Sequence, residues 1–177
     1  IDKTLEYEQY LMADPSFLNE VVLIAGVDGS YAATHGNGQI NYGTSNYFNA
    51  AHGVTSHTYL YGSGSPIVSN SSAASPAIIQ NVSNGVGFAN YTAHCSASGW
   101  ADPSFTTSNV SGLQNAGQYP LMIGNCCQSS SFGDYECFGE AVLRAANKGA
   151  LGYIGASNNS YWNEDFYYGV GVGTVTA

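Results

Sequence analysis

Two adjacent cysteines, Cys126 and Cys127, follow a short apolar run at 120–125, and a histidine, His94, follows another at 86–93. A thiol and an imidazole delivered at the ends of strand-like runs can do nucleophilic chemistry. The thiolate attacks, the imidazole takes or holds the proton, and a carboxylate orients the ring. A third run, 21–26, leads to such a carboxylate at Asp28, and a fourth, 150–156, leads to Asn158, Ser160, Trp162, Glu164 and Asp165. Each residue has a plainer reading. A histidine after a strand is usually a surface group, and a cysteine there is usually a small buried hydrophobe. Asp28-Gly29 reads equally as a turn, and Asp165 as a solvated acid. Their convergence favours catalysis, because in open α/β sheets sites form beyond the carboxyl ends of the strands.

A second chemistry stays open. His94, Cys95, Cys126 and Cys127 make a zinc set of one histidine and three cysteines. Adjacent residues in extended chain point to opposite sides, so two adjacent pairs chelate poorly. The four cysteines, with Cys137 as the remaining one, do not read as a disulfide framework. Neighbouring cysteines do not easily bond each other, and a chain of this size needs no staples.

The elements that must position these residues alternate between helix and strand. Residues 1–12 carry Tyr7, Tyr10 and Leu11 at helical spacing. Asp14-Pro15 is the signature of a second, short helix. The run 21–26 is apolar on both faces, as a buried parallel strand is. Residues 29–80 have no clean period and read as long loops with short elements such as 47–51, with 62–75 the least ordered. Strands are expected at 86–93, 120–125 and 150–156. Helices are expected at 105–117 and 137–148, the latter capped by Gly149. This order predicts an α/β fold with a mostly parallel sheet.

Composition narrows the class. Hydrophobic residues make up 44% of the 177 residues, which suits a single globular domain. Only 8% are charged, lysine and arginine total three, and the net charge is −9. Such a surface repels phosphate backbones and argues against nucleic acid while tolerating basic substrates. Solubility falls to Asn, Ser, Thr, Gly and 14 Tyr, a surface more typical of exported proteins. No run reaches the ~20 apolar residues of a transmembrane helix. No signal peptide opens the chain, which reads as a processed or excised segment.

At the chemistry-bearing residues the sequence resembles the gingipain peptidase family, most of all its lysine-specific branch. The segment Gly87 to His94 resembles the one carrying that family's catalytic histidine. Ile123-Gly124-Asn125-Cys126-Cys127 resembles the one ending in its catalytic cysteine, and Cys137-Phe138-Gly139-Glu140 the helix start that follows. Leu23 to Asp28 resembles the strand delivering a third catalytic residue. Tyr153-Ile154-Gly155 and Asn159 to Asp165 resemble the wall of the S1 pocket.

The resemblance implies a caspase-like fold. The chain 1–177 would be the C-terminal, catalytic subdomain, with an N-terminal subdomain and an immunoglobulin-like domain of its own precursor as partners. Cys127 would be the nucleophile, His94 the general base and acid, and Asp28 the carboxylate behind it. The backbone N–H groups of Cys95 and Cys127 would form the oxyanion hole. Asp165 would meet a basic P1 side chain, with Thr92, Ser160, Asn159 and Trp162 around it. The expected activity is a secreted or surface-attached endopeptidase cleaving after lysine, or else arginine. Its chemistry requires no cofactor, and the family's calcium or sodium is structural. Two departures stand out. Cys95 occupies the family's glycine position after the histidine, where a side chain could crowd the oxyanion hole or be oxidised. Tyr31 replaces a tryptophan. The rival reading is an inactive relative serving as an adhesin or structural surface protein.

Overall fold

A computed structural model describes residues 1–62, 71–133 and 135–171, without the side chains of residues 71 and 72. In chain order the elements are α1 (Asp2–Glu8), β1 (Glu20–Ala25), α2 (Asn37–Asn46), β2 (Thr55–Tyr59), α3 (Ser71–Ser83), β3 (Phe88–Thr92), β4 (Cys95–Ser96), β5 (Gly99–Trp100), β6 (Phe105–Thr106), α4 (Thr107–Val110), β7 (Leu121–Asn125), α5 (Phe138–Arg144), β8 (Gly152–Gly155) and α6 (Trp162–Val170). A 3-10 turn over Pro15–Asn19 precedes β1, capped by the Asp14 side chain on the N–H of Ser16.

Five parallel strands form the main sheet, in the order β2-β1-β3-β7-β8. In β1 the side chains of Val22 and Ile24 enter one core layer, while Val21, Leu23 and Ala25 enter the other. That is why the run is apolar without alternation. The first layer also takes Ala74, Ile78 and Val82 of α3, and Phe138, Ala141 and Val142 of α5. The second takes Ile40 of α2, and α6 packs against α2. An aromatic group braces the first layer near the carboxyl ends of the strands. Trp100 stacks on Tyr91 with centroids 4.9 Å apart and meets Phe105 and Phe138 edgewise or tilted. A Cβ at Gly124 would collide with the hydroxyl of Tyr153, so only glycine lets that ring lie across β7.

The chain turns back at β1. It adds β2 on one side, then returns to add β3 on the other. The gap between the ends of β1 and β3 is therefore a topological switch point.

Several expectations needed correction. Residues 29–80 contain α2, β2 and most of α3, which their Gly, Asn and Ser content concealed; of the stretch 62–75, residues 63–70 lie outside the described residues. The helix expected at 105–117 shrinks to α4, because Phe105 and Thr106 pair with β5 and Thr106 caps the turn that follows. The expected N-terminal helix ends at Glu8. Gly149 is not the cap of α5, which ends at Arg144. It sits in the left-handed region (φ +82°), donates to the side chain of Asn115 at 3.0 Å and turns the chain into β8. The cysteines do include a disulfide, Cys95–Cys126.

Candidate active site

The four strand-end residues come together as the topology requires. Asp28 follows β1, and its Oδ1 accepts the N–H groups of Ser30 and Tyr31, each at 2.7 Å. These bonds fix the carboxylate so that Oδ2 meets Nε2 of His94 at 2.7 Å. Burial pushes the Asp28 carboxyl up, but the Tyr31 N–H, His94 and the Ser30 N–H outweigh it and hold the group below the ordinary carboxylate range. With Nε2 donating to Asp28, Nδ1 is the ring nitrogen left to exchange a proton.

Cys127 is a free, partly buried thiol. The Ser160 N–H donates to its sulfur at 3.4 Å, and the sulfur lies 3.6 Å from the Ser160 carbonyl, to which the S–H donates. The N–H groups on either side are occupied, Cys126 by Gly124 O and Gln128 by Asn158 O. The Cys127 N–H between them has no partner among the described residues. Cys95 pairs with Trp100, and Ala101 donates to His94 O at 3.0 Å. That pattern marks the Cys95–Trp100 pair as non-hydrogen-bonded, so the Cys95 N–H points away from β5.

His94 and Cys127 line one cavity of about 520 Å³ with Tyr31, Asn159, Ser160, Trp162 and Asp165. Trp162 forms its aromatic wall, stacked on Tyr31 at 5.8 Å and edge-on to His94 at 5.9 Å. Asp165, in the first turn of α6, is 9% exposed and accepts the Ser160 hydroxyl at 2.9 Å. Burial raises the Asp165 carboxyl; the Ser160 hydroxyl opposes the rise and Glu164 adds to it. Asn159 takes a bond from Gln128 at 3.3 Å.

Thr92 is the exception among the expected pocket residues. It is fully buried behind the cavity, and its hydroxyl accepts from Gln39 at 3.1 Å. Gln39 accepts from Asn125, which also donates to the Asp165 carbonyl at 2.7 Å. Thr92 thus belongs to a network supporting α6 rather than to the cavity lining. Composition offered no sign of this network, since Gln39 lies in a stretch read as loop.

The zinc set is ruled out by chemistry, because Cys95 and Cys126 spend their sulfurs on each other. The disulfide also draws the Cys95 side chain out of the cavity lining, which removes the crowding expected at that position. Among the described residues no group of three or more His, Cys, Asp or Glu gathers as a metal would need.

Fold and site together define an α/β protein with thiol, imidazole and carboxylate gathered at the carboxyl edge of a parallel sheet. The chain belongs to peptidase family C25, whose profile matches residues 1–174. It is 45% identical to a Lys-gingipain of Porphyromonas gingivalis over 99% of this chain and 10% of that protein. It is 27% identical to gingipain R2 of the same organism, over 92% of this chain and 22% of the relative. The chain therefore spans about a tenth of the length of the Lys-gingipain it matches. Among solved structures, one described as a protease superposes with a TM-score of 0.88 at 43% identity, over 98% of this chain and 36% of the other. The Arg-specific cysteine proteinase gingipain R superposes at 0.75 and 24% identity, covering 95% of this chain and 38% of its own, a likeness of fold. The caspase-like, mostly parallel sheet that the resemblance implied is the fold this chain has.

Proposed function

We propose that this chain is the catalytic part of a cysteine endopeptidase that cleaves after basic residues, lysine before arginine. The observation that carries the reading is the single cavity lined by a free thiol, by an imidazole tied to a carboxylate, and by a second, buried carboxylate. Cys127 attacks the scissile carbonyl, and His94 takes the thiol proton at Nδ1 and returns it to the leaving amine. Asp28 holds the imidazolium. The N–H groups of Cys95 and Cys127 receive the oxyanion. Water then hydrolyses the acyl-enzyme.

Asp165 recognises the basic side chain. A lone buried carboxylate, helped by the Ser160 hydroxyl, suits the compact three-donor ammonium of lysine. It rejects neutral side chains, which would leave it unpaired. Trp162 and Tyr31 flank the aliphatic stem, and Asn159 lines the rim.

The remaining parts of the precursor, an N-terminal subdomain and an immunoglobulin-like domain, are its structural partners. The Cys95–Cys126 bond supports export to an oxidising compartment or the cell surface. No helix among the described residues is long and apolar enough to cross a membrane. The inactive reading drew on Cys95 and on the Gly-, Asn- and Tyr-rich loops, and the disulfide takes away the first of these.

The test uses the full-length protein, fluorogenic peptides with Lys, Arg, Leu or Glu at P1, and a lysyl chloromethylketone. Turnover of lysyl peptides with stoichiometric labelling of Cys127 is expected. Labelling of another residue, or cleavage after leucine or glutamate, overturns the assignment.

A further inference from the structure

The cysteines beside the two reactive residues are bonded to each other. Cys95 follows His94, Cys126 precedes Cys127, and their Cα atoms lie 5.4 Å apart. The bridge joins the first residue of β4 to the residue that follows β7, beyond the last ladder pair of β3 and β7, Thr92–Asn125. Past that pair the backbone register no longer holds the two ends together. Cys126 is 1% exposed, Cys95 packs against the core, and neither lines the cavity. The disulfide thus lies behind the reactive pair. Ser160 holds the Cys127 sulfur on the cavity side, out of the bridge.

A staple needed only for stability could join any two segments of the chain. This one fixes three reacting positions at once: the backbone of His94, the N–H of Cys95 that points out of its ladder, and the backbone of Cys127. We infer that the Cys95–Cys126 disulfide is a positioning element of the catalytic centre, and that turnover falls when a dithiol reduces it. The inference rests on the peptidase reading above. In the reduction, two dithiol sulfurs become a disulfide, and two electrons and two protons pass to Cys95 and Cys126. Cys127 is unchanged. Cys95 is partly exposed. The site therefore needs Cys127 as a thiol and its neighbours as a disulfide. Reductant that rescues an oxidised nucleophile would, in excess, loosen the frame around it.

Misplacement of reacting groups by about 1 Å can cost roughly a hundredfold in rate, so a partial loosening should cost on the order of tenfold. The experiment measures kcat and KM of the full-length protein on a lysyl peptide, oxidised and in excess dithiothreitol. Alkylation and peptide mapping report the state of all four cysteines. A Cys95→Ser/Cys126→Ser double variant and a Cys95→Gly/Cys126→Ala double variant are measured in parallel, with circular dichroism to verify folding. Reduction should lower kcat about tenfold with KM within about twofold, and iodoacetamide should still reach Cys127. Any variant that folds should show the lower kcat with and without dithiol. If both variants fail to fold, the reduced wild type alone decides. Equal kcat in the oxidised and reduced wild type, or a folded variant as fast as the oxidised enzyme, overturns the positioning role while the peptidase reading stands. No turnover of lysyl or arginyl peptides by wild type in which mapping shows Cys127 as a thiol and the Cys95–Cys126 bond intact overturns the peptidase reading, and this inference with it.

Discussion

Asp28 Oδ2 meets His94 Nε2 at 2.7 Å, while the other oxygen of the same carboxylate is held by two backbone N–H groups of the turn after β1. The His94 side chain is 56% exposed, so this carboxylate is the main restraint on the ring's tautomer and direction. The backbone grips the carboxylate, and the carboxylate grips the ring.

Asp28→Asn should therefore act on turnover. An amide at this position can present its NH₂ to the ring and favour the wrong tautomer. We expect kcat to fall roughly ten- to hundredfold with KM little changed, since the group acts after binding. The variant should also lose stability at neutral pH, with the difference vanishing in acid. The folded value of Asp28 lies below its unfolded value, so its contribution is present above the unfolded value and is lost as pH falls through the folded one. Acid unfolding curves of the two proteins should converge at low pH. Unchanged kcat would reduce Asp28 to a turn residue.

Asp165 should separate specificity from stability. Asp165→Ala should lower kcat/KM for lysyl peptides about a hundredfold, the range of one lost charge-assisted contact. The sign for stability is the reverse of Asp28. The folded value of Asp165 is raised, chiefly by burial, so its favourable contribution exists at low pH and is lost as pH rises through the folded value. Asp165→Asn should then raise the Tm at neutral pH while abolishing lysine preference. The same shift predicts that kcat/KM for lysyl peptides falls on the acid side from a higher pH than an ordinary carboxylate would give. A pH–rate profile with its acid limb at or below the usual carboxylate value would contradict this.

Phe138→Ala tests the aromatic brace. The ring is fully buried, and it touches Phe105 with centroids 5.2 Å apart and Tyr153 at 5.6 Å. Its removal should cost about 3–5 kcal/mol, as large aromatic-to-alanine changes in cores do. Urea titration should show a lower midpoint with the slope preserved. A loss under about 1 kcal/mol would mean that the cluster can collapse around the gap.

Lys3→Ala tests how α1 is held. That helix has seven residues and buries none of them, too short to persist alone. Lys3 donates to the carbonyls of Val142 and Lys148 at 3.0 and 2.9 Å and lies over the Tyr119 ring. Burial lowers its ammonium to about 8, so the tether should weaken as pH rises through that value. In the variant, amide exchange over Asp2–Glu8 should approach that of free chain while the sheet strands keep their protection. Unaltered exchange would show that other contacts hold α1.

The site was legible in the sequence because of what strands do. A run such as 21–26 must be buried on both faces, so its carboxyl end must open onto a loop, and four such runs delivered Asp28, His94, Cys127 and the loop bearing Asp165. Residue type at the strand ends was then enough to suggest the chemistry. The disulfide was not legible. Cys95 and Cys126 lie 31 residues apart, and their closeness depends on β3 and β7 being neighbours in register. β2 and α2 were also hidden, since Thr55–Tyr59 forms an edge strand whose polar side chains carry little alternation. Thr92 shows the same limit at one residue. Its type suited a pocket, but Gln39 and Asn125, distant in sequence, claim its surroundings and leave the pocket to Ser160 and Asp165. Local pattern determines which segments must be buried and what chemistry their ends carry. Which ends meet, which sulfurs bond and which hydroxyl faces the cavity are long-range pairings, and only the packed sheet decides them.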